Sequence, residues 1–240
     1  MPTRRELKDS AHELIRNTKP HPCIVGLVYV LIIWIIGYLT AKINGGPIAI
    51  DLNALYSGNA ESAIRIQMNE PTFLSSLLVT AFQLISVLIG FGFTKYVLNV
   101  SRKQSAEMGN LFDGFAVFPR VIWLSIVRAA LIFLWSLLFI VPGFIAAYKY
   151  SMATYLLLDH PDWTAIQCLQ ESKAIMDGHK SELFVLDLSL LGWYILGCIR
   201  PAQVYTQPFT GVTHALYYNN LIGYQASASS ETDGKKPWEY

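Results

Sequence analysis

Three long stretches of this sequence carry no charged side chain. They are residues 23–41, between Pro22 and Lys42; residues 72–94, between Pro71 and Lys95; and residues 129–148, between Arg128 and Lys149. The hydrocarbon layer of a bilayer is about 30 Å thick and takes about 20 apolar helical residues to cross. One such run fits inside a soluble core, but three in a chain of 240 residues point to a bilayer as solvent. Composition agrees, with 53% of residues apolar and 15% charged, against about 25% charged in ordinary soluble domains.

The third run decides the map. Val121 to Leu158 is 38 residues, and one helix of that length would reach about 57 Å at 1.5 Å per residue. Tilt does not absorb the excess over the apolar layer. Pro142 removes a helical hydrogen bond and Gly143 supplies a permissive backbone, so a turn is predicted at Pro142–Gly143. The expected fold is therefore all-α, a polytopic membrane helix bundle of six spans at 23–41, 73–97, 121–141, 143–158, 183–199 and 204–223. The fourth span is short.

The remaining segments are polar or amphipathic. Residues 1–22 hold a capping box, Thr3 with Glu6, and an apolar stripe of Leu7, Ala11, Leu14 and Ile15. They read either as a cytoplasmic helix on anionic headgroups or as a short solvated helix packed on neighbouring loops. Residues 42–71 read as an external loop with a short helix near "NAESAIRIQ". In the 95–120 loop, Asn110 is expected to cap a short interfacial helix with Leu111, Phe112, Phe115 and Phe118 on one face. Residues 159–182 read as a surface helix, started by Pro161 and Asp162 and stopped by Gly178. Residues 224–240 read as a flexible polar tail. Lysine and arginine concentrate in the segments that six spans put inside, which favours cytoplasmic termini. "YLTAKINGG" after the first span offers no small-x-small cleavage site, so that span is expected to be retained.

Several blocks carry a resemblance: "RRELKDSA" at 4–11, "LFDGF" at 111–115, "LWSLLFIVPGFIAAYKYSMATYLLLDHP" at 134–161, "ESKAIMDGHKSELFVLDLSLLGW" at 171–193 and "ALYYNNL" at 215–221. Together they resemble the bacterial integral membrane family called domain of unknown function 975. The resemblance implies a multi-pass protein of the bacterial cytoplasmic membrane. It implies no activity, cofactor or catalytic residue.

Chemistry is sparse. No nucleotide, metalloprotease or hydrolase motif is present. A net charge of +1 gives no electrostatic footprint for nucleic acid. Cys23, Cys168 and Cys198 are too scattered for a disulfide framework or a zinc site. His160 and His179, with Asp159 and Asp177 nearby, lack a diagnostic ligand spacing. The better leads are polar residues inside spans, because they are costly there and turn toward a bundle interior or a watery cavity. These are Arg128, Lys149 and Asp187, with Gln83 and His214 as weaker cases. Tyr148, Ser151 and Tyr155 share a helical face, either lining a cavity or bonding neighbouring helices. By depth, Asp187 is expected to pair with Arg128.

No catalytic residue, metal ligand or cofactor is expected. The lipid bilayer is one partner, and a protein or lipid held within the bundle is another. The leading reading is a non-enzymatic binding or accessory component for transport, export or envelope maintenance. Its rivals are a small secondary transporter and a lipid-modifying membrane enzyme.

Overall fold

Thr3 starts the first helix as its spacing from Glu6 predicts. Its hydroxyl accepts from the Glu6 N–H at 3.3 Å, and the Glu6 carboxylate accepts from the Thr3 N–H at 2.8 Å. The computed structural model describes residues 3–44, 49–50, 64–65 and 72–223. Among these the α-helices are α1 (Arg4–Asn17), α2 (Pro22–Ile43), α3 (Phe73–Ser101), α4 (Phe118–Leu138), α5 (Ile140–Lys149), α6 (Ala153–Asp159), α7 (Ala165–Ile175), α8 (Lys180–Gly197) and α9 (Gln203–Leu221). The chain divides into two packing units, Val30–Ser86 and the rest.

In the Val30–Ser86 unit, Leu31, Ile35, Tyr38 and Leu39 of α2 and Phe73, Leu74, Leu77 and Leu78 of α3 are all exposed. Large apolar residues displayed along helices match a lipid solvent. Ala49–Ile50 pairs antiparallel with Ile64–Arg65. Ile64–Arg65 is thus extended where the sequence predicts a helix; the rest of that expected helix, and the 224–240 tail, lie outside the described residues.

In the larger unit, the apolar stripe of α1 is used on protein. Leu7, Ala11 and Ile15 are buried in the core, and α1 packs along α9. Lys8 Nζ donates to the Ser189 carbonyl of α8 at 3.2 Å, and His12 Nδ1 meets the Tyr205 hydroxyl at 2.8 Å. The stripe thus meets the helices α8 and α9, not the neighbouring loops. Pro208 sits inside α9 and leaves the Val204 carbonyl without its helical donor. Gly26 of α2 packs against that carbonyl, where a Cβ would collide with it.

The loop after α3 folds back as a 3₁₀ helix, Met108–Phe115, and Lys95 pairs with Asp113 at 2.8 Å. Leu111 is buried against α3 at Gly92, whereas Phe112, Phe115 and Phe118 are exposed. Asn110 does not cap this helix; its position inside the segment puts it past the N-cap.

The turn after α4 corrects the sequence reading. It falls at Phe139, not at Pro142–Gly143. Phe139 is extended (φ −159°, ψ 150°), and α5 begins at Ile140. Pro142 therefore lies in the first turn of α5, where its missing N–H has no helical acceptor to lose. Gly143 acts by closeness: a Cβ there would overlap Ser136 of α4. The hairpin then keeps register. Arg128 of α4 bonds Thr154, and Arg120 bonds the Pro161 carbonyl. The returning segment is also broken, with α5 ending at Lys149 and α6 starting at Ala153. Ten residues of α5 reach only about 15 Å, so the segment expected as the fourth span is not one helix.

Helix α7 starts at Thr164, which forms a capping box with Gln167, rather than at Pro161 and Asp162. Gly178 takes the left-handed conformation expected of a stop signal (φ 81°) three residues past the end of α7.

A buried polar clasp joins the ends of α3, α6 and α9. Arg102 gives Nη1 to Asp159 Oδ1 at 2.5 Å, Nη2 to Oδ2 at 2.7 Å and Nε to Asn219 Oδ1 at 3.0 Å. Tyr218 donates to Asp159 at 2.7 Å, and Asn219 donates to Ser101 at 2.9 Å.

Candidate functional site: a polar pocket among α3, α4, α5, α6, α8 and α9

Helix α8 buries Leu183, Leu186 and Leu190 on one face, and this carries Asp187 inward beside them. On α9, the buried residues Val212, Thr213 and Ala215 place His214 opposite. His214 Nε2 lies 2.6 Å from Asp187 Oδ1, and the Tyr148 hydroxyl of α5 donates to Oδ2 at 3.0 Å. The Tyr194 hydroxyl, two turns along α8, approaches Oδ1 at 3.5 Å. The Asp187 carboxylate is thus surrounded by donors from three helices.

Asp187, His214 and Tyr148 wall a pocket of about 460 Å³, together with Arg128, Ser151, Thr154, Tyr155, Thr94 and Phe144. Such a volume lies in the range of small-molecule sites, about 300–1,000 Å³. Arg128 Nη1 donates to Thr154 Oγ1 at 3.4 Å, a long bond. Tyr155 stacks on Tyr218 at 5.0 Å between ring centres. Ser151 and Thr94 donate to the carbonyls of Tyr148 and Gly90, so each hydroxyl oxygen keeps its lone pairs for an entering donor. At the rim, Phe144, Tyr148 and Phe184 form an edge-to-face trio with centroids 5.2–6.1 Å apart.

Arg128, Asp187, Tyr148, Ser151, Tyr155 and His214 come together here, and Tyr148 both lines the cavity and bonds Asp187 of the neighbouring helix α8. The expected Arg128–Asp187 ion pair does not form. Asp187 takes His214 and Tyr148 instead, because the rotation of α8 turns it toward α5 and α9. Two candidates lie elsewhere. Lys149 Nζ sits 5.6 Å over the Tyr150 ring, within electrostatic reach of Lys173, Lys180 and Asp177. It therefore belongs to the α7–α8 end of the unit. There Lys180, bonded to Asp177 at 2.8 Å, holds the Asp177 carboxyl below the usual carboxylate range. Gln83 is exposed on α3 in the Val30–Ser86 unit. Thr154, Thr94, Phe144 and Tyr194 were not singled out from sequence. Thr154 had a signal, since it follows Ser151 by three residues on the same face.

His160 stacks on Trp163 at 3.9 Å, and His179 bonds Glu182 at 3.0 Å. Among the described residues no group of three His, Cys, Asp or Glu could hold a metal. His214 bonds Asp187, and Ser151 donates to a backbone carbonyl, so no hydroxyl is aligned on the histidine as a nucleophile.

The described chain is thus a helical protein in which α2, α3 and α4 are each long and apolar enough to cross a membrane. Residues 137–225 match the family model described as "Protein of unknown function (DUF975)", the family that the sequence resembles. The match holds Tyr148, Ser151, Thr154, Tyr155, Asp187 and His214, while Arg128 and Thr94 precede it. No curated protein and no solved structure matches the chain.

Proposed function

We propose that this protein is a non-enzymatic, multi-pass component of the bacterial cytoplasmic membrane that holds a ligand within its helix bundle, in the service of transport, export or envelope maintenance. The carrying observation is the pocket itself. Arg128, Asp187 and His214 gather around one cavity in an apolar bundle, and ionisable groups are retained at such depth where they bind or relay something. The six-span map, with both termini inside, is part of this reading. The α4 to α6 hairpin, which runs out and back in register, supports it, as do the antiparallel α8 and α9.

The test is extraction of the full chain from native membranes in a mild detergent, with mass spectrometry of co-purifying small molecules, lipids and peptides. One species enriched with the wild type and lost from Tyr148→Phe/Asp187→Asn would support the reading. Identical profiles for the two would overturn it. Solute flux into proteoliposomes would replace it with the transporter.

A further inference from the structure

We infer that the pocket recognises a phosphate group carried by a membrane amphiphile, with Arg128 as its anion-binding residue. This rests on the reading of the pocket as a binding site and names the chemistry of what enters it. The Arg128 guanidinium has five N–H donors and, among the described residues, uses one, on a neutral hydroxyl at 3.4 Å. Its side chain has no carboxylate partner among the described residues. A cation drawn out of water without a counter-ion is held at a penalty that an entering anion relieves. The one carboxylate of the pocket does not supply that relief, because Asp187 is engaged by His214 and Tyr148. For the same reason the pocket is poorly suited to a cationic ligand.

The planar fork of arginine fits two oxygens of a phosphate at once. Thr154 Oγ1 accepts from Arg128, so its own proton is free for a third phosphate oxygen. Ser151 and Thr94 add acceptor oxygens suited to the hydroxyls of a glycerol-type headgroup.

The rim decides between a soluble and a membrane-borne phosphate. Phe144, Phe184 and Leu188 are all exposed; Phe144 lines the pocket, Phe184 packs on its ring, and Leu188 lies one turn along α8 from Phe184. An apolar margin contiguous with the lipid-facing surface suits acyl chains lying outside while the headgroup occupies the cavity.

The probes are dihexanoyl phosphatidylglycerol, dihexanoylglycerol and inorganic phosphate, titrated into the purified full chain in a non-ionic detergent and read by calorimetry. Phosphatidylglycerol should bind best, and Arg128→Gln should weaken it by on the order of tenfold or more, the scale of a lost charge-assisted hydrogen bond. Arg128→Lys should retain part of the affinity, and a thermal melt of each variant shows whether it folds. Arg4→Gln/Arg5→Gln, at the exposed start of α1, should leave binding unchanged. Equal binding of dihexanoylglycerol, or no effect of Arg128→Gln, would overturn the phosphate assignment while leaving a ligand pocket. Inorganic phosphate binding as tightly as the lipid would overturn the amphiphile. No binding of any amphiphile would overturn the amphiphile as well, and would leave the pocket reading to the co-purification test.

Discussion

Ser136 and Gly143 face each other across the tip of the α4–α5 hairpin, so close that a methyl group on Gly143 would overlap Ser136. The two helices therefore meet backbone to side chain just inside the turn at Phe139. Small residues at crossings of this kind are what let apolar helices approach in a bilayer. Gly143→Leu should destabilise the protein by about 1–3 kcal/mol through overpacking. Pro142→Ala should stay within about 0.5 kcal/mol, because its position in the first turn of α5 has no hydrogen bond to restore. Thermal unfolding in detergent measures both. A large loss from Pro142→Ala with none from Gly143→Leu would return the turn to Pro142.

Arg102 and Asp159 present the opposite case, a charge pair with side chains 9% and 7% exposed. Leaving either charge buried alone costs about 3–5 kcal/mol. Arg102→Ala and Asp159→Ala should each lose that much, and the double mutant should lose far less than their sum. Tyr218→Phe removes one bond to a charged acceptor and should cost about 1.5–3 kcal/mol. Detergent melting curves would reveal the coupling; strictly additive single losses would show that the clasp does not act as a unit.

The pocket replaces one expected pair by another. Arg128→Ala and Asp187→Ala should couple more weakly than Asp187→Ala and His214→Ala, because the first two groups share a pocket but no bond. Asp187→Ala and His214→Ala should couple by about 0.5–3 kcal/mol, the usual range for residues in one hydrogen-bond network. Double-mutant cycles on unfolding separate the two patterns. Coupling between Arg128 and Asp187 larger than that between Asp187 and His214 would restore the pairing argued from depth.

How much of this was legible in the sequence follows from what each signal encodes. The apolar runs gave α2, α3 and α4, since length and missing charge depend on local sequence alone. Tyr148, Ser151 and Tyr155 were readable as one face because helical periodicity is also local. The partner of Asp187 was not readable. Depth along a span follows from counting residues, whereas partnership depends on how each helix is rotated about its axis, and that is set by tertiary packing. The Pro142–Gly143 turn failed for a related reason. Proline followed by glycine marks a turn by itself, yet proline is equally at home in a first helical turn, and only the presence of Ser136 opposite shows why glycine follows. Arg102 and Asp159, 57 residues apart and both at helix ends, read as loop charges until the fold joins them.

The topology can be tested at the hairpin tip. Helix α4 has 21 residues, about 31 Å at 1.5 Å per residue, enough to cross the apolar layer. If Arg120 starts at the inner face, Phe139 reaches the outer one. Its side chain is exposed, so Phe139→Cys should react with an impermeant maleimide in intact cells. Gln170, exposed on α7, lies after the chain has returned, so Gln170→Cys should react only once the cells are opened. Cys23 and Cys198 must be replaced by alanine to give a silent background. Cys168 can remain, because it is wholly buried and burial pushes its thiol up to about 11, which leaves almost no reactive thiolate at neutral pH. Labelling of position 170 in intact cells, under conditions that spare a known cytoplasmic cysteine, would overturn the six-span map. Labelling of position 139 alone would leave α4 as an outward crossing and the α5–α6 segment as its return.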